Sequence, residues 1–237
     1  MISGYGQENL ILRHAKLPRF IPIIPYYEHG WSIADKLIAS YKNSNSTFHL
    51  SWNKRMKEKF KFEKVKKNVS IMGAPFIFYK EKYDIKKKRN RNTIFFLAHS
   101  TPLIKSNITL EQLDDDLKSL PEFFKPIDIC CHFYDYKKFK EMEQYGYRVL
   151  TPGKVYDNDY PKKFYEILSE YSNSVSNQLG SYTLYSINLE IPFFLSGKSP
   201  IFDNFGGDKN VEKKYSVSDY KFAKQISPIF SEILNKP

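Results

Sequence analysis

The chain has 237 residues, 41% of them hydrophobic and 16% aromatic, and carries 37 basic against 26 acidic side chains for a formal charge of +11. That length suits one large domain or two small ones, and that apolar fraction excludes a chain that stays unfolded throughout. The basic excess points to an acidic partner: nucleic acid, anionic lipid headgroups or a phosphorylated substrate.

Residues 8–14 pattern as a short helix with Leu10 and Leu12 inward. The run 20–27, FIPIIPYY, is apolar but interrupted by Pro22 and Pro25, so it is an edge or terminal strand at best. It delivers Glu28, His29 and Gly30 to a loop. The spacing of Ile33, Leu37 and Ile38 predicts a helix over 31–41. A strand follows at 47–52, then a basic helix at 54–62 capped by Asn53, then a strand at 69–72 that stops at Gly73. Residues 79–92 are highly charged with little apolar pattern and read as a linker.

A regular alternation begins at Thr93. Strands are expected at 93–98, 128–133, 148–150, around Val175 and at 193–195. Helices are expected at 109–120, 135–145, 160–171 and 182–190. The first of these opens with Thr109 and Gln112 in capping-box spacing and presents Leu110, Leu113, Leu117 and Leu120 as one stripe. The second stops at Gly146. Five strands alternating with helices predict a doubly wound parallel sheet. The remainder reads as a loop over 199–217 and two short helices at 218–226 and 228–234.

Cys130 and Cys131 are adjacent, so on a strand they face opposite ways and cannot bridge each other. With no CxxC pair a thiol-rich zinc site is not expected, the five histidines lack an HExxH spacing, no cofactor is expected, and a reducing compartment is the natural setting. No apolar run approaches the ~20 residues of a membrane span, and no amino-terminal signal peptide is evident, so the expected location is cytoplasmic. No GxGxxG follows the first strand of the series and no GxxxxGK[ST] is present, which removes the two commonest phosphate-loop motifs.

Sheets of this kind bind ligands beyond the carboxyl ends of their strands. The loops at that edge contain His99, Ser100 and Thr101 after one strand and the turn Ser176-Asn177-Gln178-Leu179-Gly180-Ser181 after another. That turn sits where a strand hands over to a helix, so free N–H groups and the helix dipole favour an anion there. Ser176, Asn177 and Ser181 add donors, and Gly180 permits close approach. The same residues would equally serve as an ordinary capping loop.

Taken together, His29-Gly30, the Gly73-Ala74-Pro75 turn, the His99-Ser100-Thr101 strand end and the polar turn followed by Pro192-Phe193-Phe194 resemble the GT-B-type glycosyltransferases of bacterial lipopolysaccharide and capsule biosynthesis. A looser likeness is to the teichoic-acid glycerophosphotransferases. The resemblance covers roughly residues 20–200. It implies two Rossmann-like units facing across a cleft: a truncated amino-terminal, acceptor-side part at 1–85, a nucleotide-donor-binding domain at 92–217, and a helical tail at 218–237. The implied activity is metal-independent transfer of a sugar from a nucleotide-activated donor to a surface-polysaccharide or lipid-linked acceptor. Some 80 residues is short for a complete amino-terminal Rossmann unit, and the 99–102 loop lacks a basic residue.

By the same likeness His29, with Glu28 as orienter, is the base, since imidazole has a suitable pKa. His99, Ser100, Thr101, Ser176, Asn177, Gly180 and Ser181 are donor-binding. Asp114, Asp115 and Asp116 fan out around a helix and read as a solvated face, and His14, His49 and His132 read as structural. The charge suits a protein resting on the anionic inner face of the plasma membrane. Two other readings stay open: a catalytically degenerate binding or scaffold subunit, and a nucleic-acid-binding protein. The last has no supporting motif, so no specific nucleic acid is expected.

Overall fold

A computed structural model describes residues 6–22, 25–28, 30–205 and 213–231, and contains two parallel sheets and one small antiparallel one. The chain opens with α1 (Gln7–His14), then β1 (Tyr26–Tyr27), α2 (Ala39–Asn43), β2 (Phe48–Ser51), α3 (Lys54–Phe62) and β3 (Asn68–Ile71). β1, β2 and β3 lie side by side in that order, all parallel, with the proline-flanked β1 at an edge. Asn53 caps α3, its Oδ1 accepting from the Met56 N–H at 3.2 Å. Met56 and Phe60 then pack inward with Leu37 and Tyr41.

The expected helix over 31–41 shrinks to Ala39–Asn43. The reason is tertiary. Arg55 donates to the carbonyls of Ser32, Ile33 and Ala34, and Lys59 donates to Ala34 as well. Asp35 accepts from the N–H groups of Lys221 and Phe222. These side chains hold 31–38 open as a loop instead of leaving its carbonyls to an i→i−4 ladder.

The expected linker is partly a helix, α4 (Pro75–Lys82). Proline at its first turn is pre-set for helix, and Phe76 and Tyr79 anchor it in the core. Then come β4 (Arg91–Phe96), β5 (Ile104–Ser106), α5 (Leu110–Lys118), β6 (Ile127–Cys130), α6 (Phe133–Phe139), β7 (Arg148–Leu150), α7 (Tyr160–Ser169), β8 (Tyr171–Ser176), α8 (Ser181–Asn188) and β9 (Phe193–Leu195). The strand expected over 128–133 ends at Cys130, because His132 caps α6 through its Nδ1, which accepts from the Tyr134 N–H. The capping box of α5 forms as its spacing predicts.

The five long-series strands are ordered β7-β6-β4-β8-β9, all parallel. Numbered along the chain this is third, second, first, fourth, fifth, the doubly wound arrangement of Rossmann-like sheets. Residues alternate cleanly between its faces. Ile94, Phe96 and Cys130 pack under α7, α8 and α4, whereas Phe95, Ile129 and Cys131 pack under α5 and the turns beside it. The two thiols thus lie in different cores, and both are free.

The tail holds two strands that the sequence pattern hid. β10 (Phe202–Asn204) pairs antiparallel with β5 on one side and with β11 (Lys214–Tyr215) on the other. After a single 3₁₀ turn, α9 (Lys221–Ser231) runs as one helix through Pro228. Its apolar side, with Phe222, Ala223, Ile226 and Phe230, packs on Phe193, Ile33 and Leu179, and that packing outweighs the proline. The remainder of the second expected tail helix, 232–234, lies outside the described residues.

Candidate functional site

Register puts Phe96, Cys130, Leu150, Ser176 and Leu195 in one row at the carboxyl end of the five-stranded sheet. The chain leaves β4 towards β6 and leaves β8 towards β9, so the row has its switch point between β4 and β8. A cavity of about 430 Å³ opens there. Its floor is Phe96, Leu97 and His99 after β4, His132 after β6, and Gln178 to Ser181 after β8. The loop carrying Gly30, Trp31 and Ile33 closes one side, and Tyr215 and Tyr220 close another.

Within the turn, the six residues divide. Gln178, Leu179, Gly180 and Ser181 line the cavity. Ser176 is fully buried and does not: its hydroxyl donates to the Phe96 carbonyl at 2.7 Å and meets the Tyr182 hydroxyl at 3.0 Å. Asn177 faces the opposite way, into a separate space of about 160 Å³ bordered by Ser196, Ser218 and Ser227. Both of its amide atoms are buried without a hydrogen-bond partner. Ser181 accepts from the Trp31 N–H at 2.9 Å, which ties the turn to the amino-terminal loop. Its O–H remains a donor, and the first turn of α8 begins at this residue.

His99 and His132 stack with ring centroids 4.6 Å apart. Burial lowers the pKa of His99, with the Asp135 charge opposing. Burial, helped by His99, brings His132 down to about 3. Both imidazoles are therefore neutral near pH 7, and His132, whose Nδ1 is an acceptor, carries its proton on Nε2. The pair supplies N–H dipoles, not charge. No lysine, arginine, aspartate or glutamate is in the described wall of the cavity.

Ser100 and Thr101 take no part in the wall. The Ser100 N–H donates to Asp135 at 2.6 Å and its hydroxyl accepts from the Ser106 N–H at 3.1 Å. Thr101 closes the turn into β5, accepting from the Ile104 N–H at 3.1 Å. Glu28 is buried, and its carboxylate accepts from the Ser51 hydroxyl at 3.0 Å and the Trp52 N–H at 2.8 Å. Burial raises its pKa, and these bonds pull part of the way back. Its described bonds fasten the end of β2 to the loop before the cavity. His29 lies outside the described residues; Gly30, next in sequence, is in the cavity wall.

Trp31 and the ring of tyrosines are wall residues that sequence reasoning did not single out, and His132, which it read as structural, lines the wall as well. His132 follows β6 as His99 follows β4. Only the strand order, which puts β6 beside β4, reveals that the two rings meet. Among the described residues no group of three or more His, Cys, Asp or Glu is placed to hold a metal ion, and no helix is long and apolar enough to cross a membrane.

The fold and cavity define an α/β protein with a Rossmann-like parallel sheet and a ligand-sized space at its switch point. Comparison with known protein families, curated proteins and solved structures finds no match.

Proposed function

We propose that the chain is a metal-independent glycosyltransferase of GT-B type, which holds a nucleotide-activated sugar in the central cavity and transfers the sugar to a surface-polysaccharide or lipid-linked acceptor. The observation that carries this reading is the position of the cavity. It lies at the β4/β8 switch point, with the first turn of α8 on its rim and a loop from a second parallel sheet across it. The aromatic wall suits a nucleoside, and the rim at Ser181 suits its phosphates, where the start of α8 and its dipole favour negative charge, the Gly180 N–H itself being held by the Thr183 hydroxyl at 3.3 Å.

In this reading His29 removes the proton from the acceptor hydroxyl. The acceptor oxygen bonds to the anomeric carbon, the bond from that carbon to the phosphate oxygen breaks, and the nucleotide departs with the electron pair. Donors on the α8 rim and neutral His99 stabilise the charge that develops. Glu28 acts by positioning the loop through its bonds to Ser51 and Trp52. Substituting His29→Ala should abolish sugar transfer and leave donor affinity near that of the parent protein. Transfer at the parent rate would remove His29 from the role of base.

The neutral wall favours a second reading, a catalytically silent binding subunit. The two separate on one outcome: donor binding without turnover by the intact chain supports the silent subunit.

A further inference from the structure

Residues 54–67 hold eight basic and two acidic side chains, which is more than half of the chain's net charge of +11. The structure divides them by face. Arg55 and Lys59 turn inward onto the loop carbonyls at 32–34. Lys54, Lys57 and Lys61 face solvent, with Glu58 the one exposed acid among them, on the side of α3 away from the buried Met56 and Phe60. Lys64 and Lys66 continue the exposed run past the helix end. None of these five makes an ion pair among the described residues, whereas Lys87 and Lys88 in the other basic run are paired with Glu190 and Glu170.

Phe62 ends α3 with 88% of its surface exposed, beside these lysines in sequence and on the helix. A large aromatic held out of the core at the end of a lysine-bearing helix face is poorly placed in water and well placed at a headgroup boundary. The helix lies beside the cavity, since Arg55 and Lys59 hold the loop that lines it.

We propose that the outer face of α3, with Lys54, Lys57, Lys61 and Phe62, docks on an anionic lipid bilayer. The lysines meet lipid phosphates and Phe62 enters the boundary between headgroups and acyl chains. The inference rests on charge and exposure and does not depend on what the cavity binds. For a transferase with a lipid-linked acceptor it would bring the bilayer to the amino-terminal wall of the cavity.

Vesicle co-sedimentation of the full chain tests it. The intact protein should bind vesicles of phosphatidylcholine with about 30% phosphatidylglycerol and not phosphatidylcholine alone, with binding falling as salt rises. Lys54→Gln/Lys57→Gln/Lys61→Gln should lower the partition coefficient roughly 100-fold, from about fivefold per lysine near an anionic surface. Phe62→Ser should weaken binding severalfold while keeping the salt dependence. Lys86→Gln/Lys87→Gln/Lys88→Gln should leave it nearly unchanged. The proposal is overturned if the intact chain ignores anionic vesicles at about 0.1 M salt, or if both triple variants lose binding equally. Binding to random-sequence DNA in place of vesicles would also overturn it. None of these outcomes bears on donor binding, so the two readings fail separately.

Discussion

A Cβ built on Gly180 would lie 2.7 Å from two ring carbons of Tyr182, whose hydroxyl donates to the Gln178 carbonyl at 2.9 Å and meets Ser176 at 3.0 Å. The glycine is therefore needed for the ring beneath the turn, a cause different from the ligand approach that its place in the sequence suggests. Ser176 and Asn177 carry a similar lesson. Their types and spacing mark a polar turn, but alternation along the strand end turns one onto the Phe96 carbonyl and the other away from the cavity. Sequence shows which residues are in the turn, and only the sheet decides which way each points. His132 has a consequence that can be measured. Folding holds its pKa at about 3, against 6.5 for a free imidazole. The unfolded chain therefore takes up a proton that the folded one refuses. The contribution to stability is whole above pH 6.5 and is lost as pH falls towards 3, with a ceiling of about 5 kcal/mol at about 1.4 kcal/mol per unit. His132→Asn keeps an acceptor for the Tyr134 N–H and removes the titration. Urea unfolding should show a shallower loss of stability between pH 6.5 and pH 4 in the variant than in the parent. Equal slopes would mean that the imidazole is not held neutral by burial.

At the scale of elements, what could be read from sequence was what local chemistry decides. Asn53 and Thr109 cap α3 and α5 where their spacing predicts, and Gly146 ends its segment in the left-handed conformation at φ 90°. The misreadings come where distant side chains intervene. Residues 31–38 have helical spacing, but Arg55, Lys59 and α9 claim their polar groups. β10 pairs with β5 across about 100 residues of chain and carries β11 on its other side, and two- and three-residue strands leave no periodicity to detect. α9 bridges both halves of the molecule. Asp35 caps its first turn at 2.9 Å from the Lys221 nitrogen, the Arg55 guanidinium lies 4.0 Å over the Phe222 ring, and Phe230 meets Phe193 edge-on. Asp35→Ala should cost about 1 kcal/mol, the usual value of a lost cap. Amide exchange should then rise in 221–226 and in the 31–35 loop together. A rise confined to one of the two would show that the contact does not couple them.

For the whole molecule, the five-stranded parallel sheet was legible because its strands alternate with helices whose caps and apolar stripes are plain, even though β8, YSNSVS, is largely polar and shows only through Val175. The order of those strands was not, and the order is what makes the site. With β4 and β8 adjacent, the loops after them meet over one cavity, and the loop from the three-stranded sheet closes it. The net charge of +11 does not reach that cavity: its described wall has no lysine or arginine, and much of the charge lies on α3. A ligand held there must gain affinity from stacking and from oriented N–H groups in place of ion pairs, so its binding should depend weakly on salt. The direct test is calorimetry of the intact chain with a panel of nucleoside mono- and diphosphates and their sugar conjugates, repeated with Ser181→Ala. The account predicts saturable binding of one nucleotide class at one site, weakened roughly tenfold or more by the substitution, as expected when a buried hydrogen bond to a charged group is lost. A folded protein silent to the whole panel, or one that binds equally well without the Ser181 hydroxyl, would contradict it.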